Sequence, residues 1–185
     1  MDALAVGTSS GALDVFMLFA IPVGGGIPAG VLVAQAKGFG WLSMTLIYLL
    51  SDIALAFLFE PMMQLFIKAS YKIKFLALLR DNLKKTTEKT IAGFGAKPGP
   101  IVLITIAFGV DPMTGRAAAL AAGHSFLSGW TIAIIGDMLF FGVVAISTIK
   151  LNNILGDGTW TAIIIMVLMM GIPALIRRFK KVKNK

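Results

Sequence analysis

Apolar runs dominate the chain, and three of them continue long enough to cross about 30 Å of hydrocarbon: Trp41 to Ile67, Gly129 to Ile149 and Thr159 to Ile176. These predict transmembrane helices. Two further apolar stretches, 11–37 and 98–124, are interrupted in their middles. Pro22, Gly24, Pro28 and Gly30 break the first, and Gly109, Asp111, Pro112 and Gly115 break the second, so each reads as two half-helices around a turn. A polar stretch, 69–97, separates the halves, and Ile73, Leu76, Leu78 and Leu79 recur among its basic residues, the pattern of a helix lying on a membrane surface. The organisation predicted is 1–68 (hairpin 11–37, helix 41–67), a cytoplasmic linker 69–97, 98–150 (hairpin 98–124, helix 129–149), and 151–185 (helix 159–176 and a basic tail).

Composition turns this pattern into a fold class. The 185 residues are 57% hydrophobic and 14% charged, with a mean hydropathy of +0.88, whereas soluble domains carry about 25% charged residues. So few charges cannot cover a soluble surface, and an all-α integral membrane protein forming one compact domain is expected. The absence of cysteine excludes disulfides, thiol nucleophiles and iron–sulfur ligation, and a single histidine excludes a multi-histidine metal centre. No metal and no cofactor is therefore called for. The first 25 residues hold no Lys or Arg, so the basic start of a cleavable signal is missing and the N-terminus is expected to be retained.

The net charge of +8 is concentrated. Eight of the 17 basic residues lie between Lys68 and Lys97 and six more between Arg177 and Lys185. Both segments flank apolar runs, so the charge marks cytoplasmic loops rather than a nucleic-acid surface. The tail is expected to meet anionic lipid. If both segments are cytoplasmic, the crossings between them are even in number. Helices 129–149 and 159–176 supply two, which makes stretch 98–124 a re-entrant hairpin; by analogy 11–37 is re-entrant from the other face.

A shift of 85 residues superimposes Gly24 on Gly109, Gly30 on Gly115, Ala34 on Ala119, Ala36 on Ala121, Gly38 on Gly123 and Asp52 on Asp137. This predicts a duplication whose copies have opposite orientation, about three full spans with two opposed re-entrant hairpins. Transporters of that architecture place their sites near the midplane.

The segment "FAIPVGGGIPAGVLVAQAKGFG" (19–40) resembles the proline- and glycine-rich element of the small multidrug export family, which is similar to DedA-like membrane proteins, and "MTGRAAALAAG" (113–123) resembles the same element again. The resemblance implies paired re-entrant hairpins and movement of phospholipid or lipid-carrier phosphate coupled to protons. It carries over to Pro22, Gly30, Gly115 and Asp137 within "GD", while the acidic and arginine-rich patterns of DedA proteins are absent. A further resemblance, to LysE-type exporters, rests on "PGP" (98–100) with "GRAAALAAGH" and "GD" downstream.

Ionisable groups inside a bilayer face a cavity or a partner, so each is a candidate. Asp52 and Asp137 sit within their spans without a basic residue one turn away, which suits reversible protonation; packing against a neighbouring helix is the alternative. Arg116, early in a half-helix, could form an anion site at the midplane with the half-helix N-termini, or pair with Asp111 or Asp137. His124 could relay protons or simply end a helix. Asp111 could cap the hairpin turn. Asp14 and Glu60 fall nearer predicted ends, where solvation is easy. The Gly and Ala ladder permits close helix approach, and Trp41, Trp130 and Trp160 read as interface anchors. The expectation is a proton-coupled secondary transporter or lipid-phosphate translocase of the cell membrane, working on a small-molecule or lipid-phosphate substrate and paired with a second copy. A cation exporter, a membrane-embedded enzyme and an assembly subunit are the alternatives; no catalytic spacing is present.

Overall fold

The computed structural model describes residues 2–20, 26–72, 78, 81, 85, 99–109 and 112–183. Among them every regular element is helical: α1 (Asp2–Ala20), α2 (Gly26–Ala36), α3 (Trp41–Ser70), α4 (Pro100–Gly109), α5 (Pro112–Ala121), α6 (Phe126–Leu155) and α7 (Gly158–Lys183). Two of these, over Trp41–Leu65 and Phe126–Leu155, are long and apolar enough to cross a membrane. The first arm of the first hairpin begins at Asp2 rather than at residue 11. The third expected crossing, 159–176, falls within α7, a single helix of 26 residues. Most of the linker 69–97, the hairpin residues Pro22 and Gly24, and Asp111 lie outside the described residues.

Local chemistry sets the helix ends. Gly38 and Gly123 both adopt a left-handed backbone, with φ of 76° and 90°, which a side chain would resist. At each, paired hydrogen bonds close the preceding helix. Gly38 N–H donates to Gln35 O and Phe39 N–H to Ala34 O, while Gly123 N–H donates to Leu120 O and His124 N–H to Ala119 O, all at 2.9–3.0 Å. Gly123 is thus a helix terminator and not a rung of a packing ladder; no atom stands within 4 Å of where its Cβ would be. The next helix restarts in the same way in both places, Met44 N–H donating to Gly40 O and Gly129 N–H to Ser125 O. The 85-residue shift carries these caps onto one another, and it carries Trp41–Ser70 onto Phe126–Leu155, each of 30 residues. Asp157 starts α7 as an N-cap, its Oδ1 accepting from Thr159 N–H at 2.8 Å and from Trp160 N–H at 3.2 Å.

The chain forms two compact units, Met1–Tyr48 with Phe141–Lys185, and Leu49–Phe140. In the first, α1 and α2 form an antiparallel pair. Gly30 makes this possible, since a Cβ there would stand 2.3 Å from the Phe19 ring. Phe19 meets Tyr48 and Phe141 edge-on at 5.1 and 5.7 Å, and Tyr48 stacks on Phe141 at 4.2 Å, geometries that add to the large apolar area these rings bury. α2 also packs on α7, with Leu32 against Gly158.

In the second unit α4 and α5 are the antiparallel pair, with Gly115 against Ala107; a Cβ at Gly115 would lie 2.5 Å from the Ala107 methyl. Leu103, Ile106, Ala118, Ala119 and Ile132 form its core. α6 approaches α4 closely at Gly136, where a Cβ would stand 2.6 Å from the Ile104 carbonyl oxygen. Ala56 of α3 packs with Trp130 and Ala133 of α6. Small residues at these crossings let backbones approach, the usual basis of helix association in lipid.

Candidate functional site

Asp52 of α3 and Asp137 of α6 both belong to the second unit and are 3% and 5% exposed. Their side chains are hydrogen-bonded to each other. Ionised carboxylates offer only acceptors, so a bond between two carboxyls contains a proton. Oδ2 of Asp52 is buried and has no hydrogen-bond partner. The bland expectation, a carboxyl hydrogen-bonded to some neighbouring helix, thus takes a specific form in which each aspartate bonds to the residue that the 85-residue shift makes its equivalent. Ser51 beside Asp52 is also fully buried.

Further along the same two helices lies a second polar group. Arg116 of α5 is 2% exposed. Its Nε donates to Glu60 Oε2 at 3.1 Å and its Nη2 to Glu60 Oε1 at 2.9 Å. Trp130 Nε1 donates to Oε2 at 2.8 Å and Gln64 Nε2 to Oε1 at 3.4 Å. The Glu60 carboxylate therefore accepts four donors, the condition under which a buried ion pair is tolerated.

This arrangement corrects several expectations. Among the described residues the partner of Arg116 is Glu60, not Asp137. Glu60 is buried rather than easily solvated, because it supplies the counter-charge for the guanidinium. Trp130 is buried as a hydrogen-bond donor and is not an interface anchor, whereas Trp41 and Trp160 are exposed. Arg116 also stands away from the aspartates: it touches α6 at Gly129, eight residues from Asp137, or about 12 Å along the helix. A single midplane cluster of Asp52, Asp137 and Arg116 does not form. His124 is half-buried, its Nδ1 3.4 Å from Ser128 Oγ. Asp14 makes an exposed ion pair with Lys37 at 2.6 Å, worth little in water.

Sequence reasoning gave Glu60 and Trp130 other roles and missed Gln64. A signal was present. Arg116 is the sole basic residue within the second hairpin and needs a counter-charge, and Glu60 with Gln64 one turn on is an acid already supplied with a donor at i+4.

No protein-family model matches the chain, and no curated protein or solved structure matches it.

Proposed function

We propose that this chain is a proton-coupled secondary transporter in the cell membrane, with the Asp52–Asp137 pair as its proton site. The observation that carries the reading is the hydrogen bond between two buried aspartates at equivalent positions. Two residues related by a duplication touch each other where the axis relating the copies passes. A proton held there belongs equally to both copies, which suits a device that alternates between two faces. The matching bounds of α3 and α6 and the matching caps at Gly38 and Gly123 support an inverted repeat of hairpin and helix. The basic linker and tail support a cytoplasmic placement of both. The small multidrug export or DedA-like resemblance favours a lipid-phosphate or small-molecule substrate.

The test is proton flux in vesicles reconstituted with the purified protein and loaded in turn with lipid phosphates, cationic drugs and amino acids. Acidification that requires one such substrate, and that Asp52→Asn or Asp137→Asn abolishes while folding persists, is the expected result. Transport at the unaltered rate in the doubly substituted protein removes the pair from the mechanism.

A further inference from the structure

We propose that the C-terminal half of α3 is a binding site for an anionic phospholipid, whose acyl chain fills an apolar groove at Pro61 and whose phosphate meets Lys68 and Lys72. The inference does not depend on the proton pair. Pro61 stands inside α3, where it offers no N–H and its ring crowds the preceding turn. A groove of about 440 Å³ opens there, lined by Leu58, Pro61, Met62, Leu65 and Ala69, a volume in the range of small-ligand sites. Every one of these side chains is apolar. Glu60, next to Pro61 in sequence, is buried and bonded to Arg116, so its charge is not offered to the groove.

Helical spacing carries the groove into positive charge. Leu58, Met62, Leu65 and Ala69 recur at intervals of four, three and four, which places them on one helix face. The same spacing reaches Lys72, and Lys68 lies one turn beyond Leu65. Tyr71 N–H donates to Lys68 O at 3.3 Å and Lys72 N–H to Ala69 O at 3.0 Å, so the chain keeps turning past the end of α3. Lys68, Tyr71 and Lys72 are exposed. The apolar span ends at Leu65, which sets both lysines at the level of lipid headgroups, with Tyr71 beside them as an aromatic anchor. From Leu58 to Ala69 the groove runs about 16 Å along the axis at 1.5 Å per residue, the depth of one leaflet of a hydrocarbon core about 30 Å thick. An acyl chain with a phosphate at its end fits that run.

Charge decides the occupant. A second copy meeting this face about an axis along the membrane normal would bring its own Lys68 and Lys72 to the same level, setting like charges together with no acid in the groove lining to offset them. A lipid without net charge would fill the groove and leave the lysines uncompensated. An anionic phospholipid answers both features.

Native mass spectrometry of the purified protein in neutral detergent, titrated with dilauroyl phosphatidylglycerol and with dilauroyl phosphatidylcholine, tests the assignment. Phosphatidylglycerol should bind more tightly. Lys68→Gln with Lys72→Gln should weaken its binding about thirtyfold, the equivalent of about 1 kcal/mol for each lysine near the surface, and leave phosphatidylcholine unaffected. Arg177→Gln with Arg178→Gln removes the same charge from the basic tail and should weaken binding less than about threefold. Leu65→Trp fills the groove and should weaken both lipids at least about tenfold. Lys68, Lys72 and Leu65 are exposed, so these variants leave the packed helices intact. Phosphatidylglycerol bound no more tightly than phosphatidylcholine, an equal loss from the lysine and tail variants, or binding that Leu65→Trp leaves unchanged overturns the proposal. A lipid-free dimer that Leu65→Trp dissociates overturns it in favour of a second copy.

Discussion

Replacing Glu60 by Gln removes one charge at nearly constant size, and the structure fixes what this does. Each carboxylate oxygen accepts two donors: Oε2 from Arg116 Nε and Trp130 Nε1, Oε1 from Arg116 Nη2 and Gln64 Nε2. The amide puts an NH2 where one of those oxygens was, so at least two donors lose their acceptor and face another donor. The guanidinium, 2% exposed, loses its counter-charge at the same time. Breaking one side of a buried pair costs about 3–5 kcal/mol. At about 2–4 °C per kcal/mol for a chain of this length, the midpoint of thermal unfolding should fall by roughly 6–20 °C. Removing both charges together, Glu60→Leu with Arg116→Met, should cost less than Glu60→Gln alone, because no charge is left stranded. Thermal unfolding of the detergent-solubilised protein, followed by tryptophan fluorescence, measures both. A loss below about 1 kcal/mol for Glu60→Gln, within the range of an exposed pair, or a double variant as destabilised as the two single changes summed, would refute this reasoning.

Trp130→Phe deletes one donor to Glu60 while keeping the ring in place, and should lower stability by about 0.6–3 kcal/mol, bracketing the range for hydrogen bonds in membranes and to charged groups; the same unfolding assay reads it. Gly136→Ala forces a methyl to within 2.6 Å of the Ile104 carbonyl oxygen and 2.6 Å of the Ala107 methyl, and should cost about 1–3 kcal/mol through overpacking. Gly142→Ala, where no atom stands within 4 Å, should be neutral or stabilising by up to about 1 kcal/mol, so equal midpoints for the two variants would contradict the close α4–α6 approach. Gly123→Ala strains a left-handed terminator and should cost about 1–2 kcal/mol, again measured as a shift in unfolding midpoint.

Helices were the most legible part of the sequence, because long apolar runs and Gly–Pro punctuation are local signals. Trp41 and the limits of α2 and α5 follow directly from the turn at Gly38 and its equivalent at Gly123. The ends of the long helices were less legible: α6 starts at Phe126 rather than residue 129 because Gly129 is tolerated once its amide bonds to Ser125 O. The equivalence of Asp52 and Asp137 could be read from spacing alone, but their mutual hydrogen bond could not, since spacing says nothing of which helix faces which. Arg116 shows the same limit. Its charge demanded a partner, and Glu60, 56 residues away, was reachable only through the packing of α5 against α3. Trp130 was misassigned for a related reason: an indole at a span start serves an interface or a buried acceptor equally well, and the neighbour decides.

The central claim, that Asp52 and Asp137 share a proton, is most directly tested by infrared spectroscopy of the purified protein at neutral pH. The Glu60 carboxylate is ion-paired with Arg116, and Asp14 and Asp157 are exposed, so the account predicts a protonated-carboxyl band from the buried pair that shifts on exchange into heavy water. The band should vanish in the protein carrying both Asp52→Asn and Asp137→Asn. A wild-type spectrum without such a band, or a band that survives the double substitution, would contradict the account.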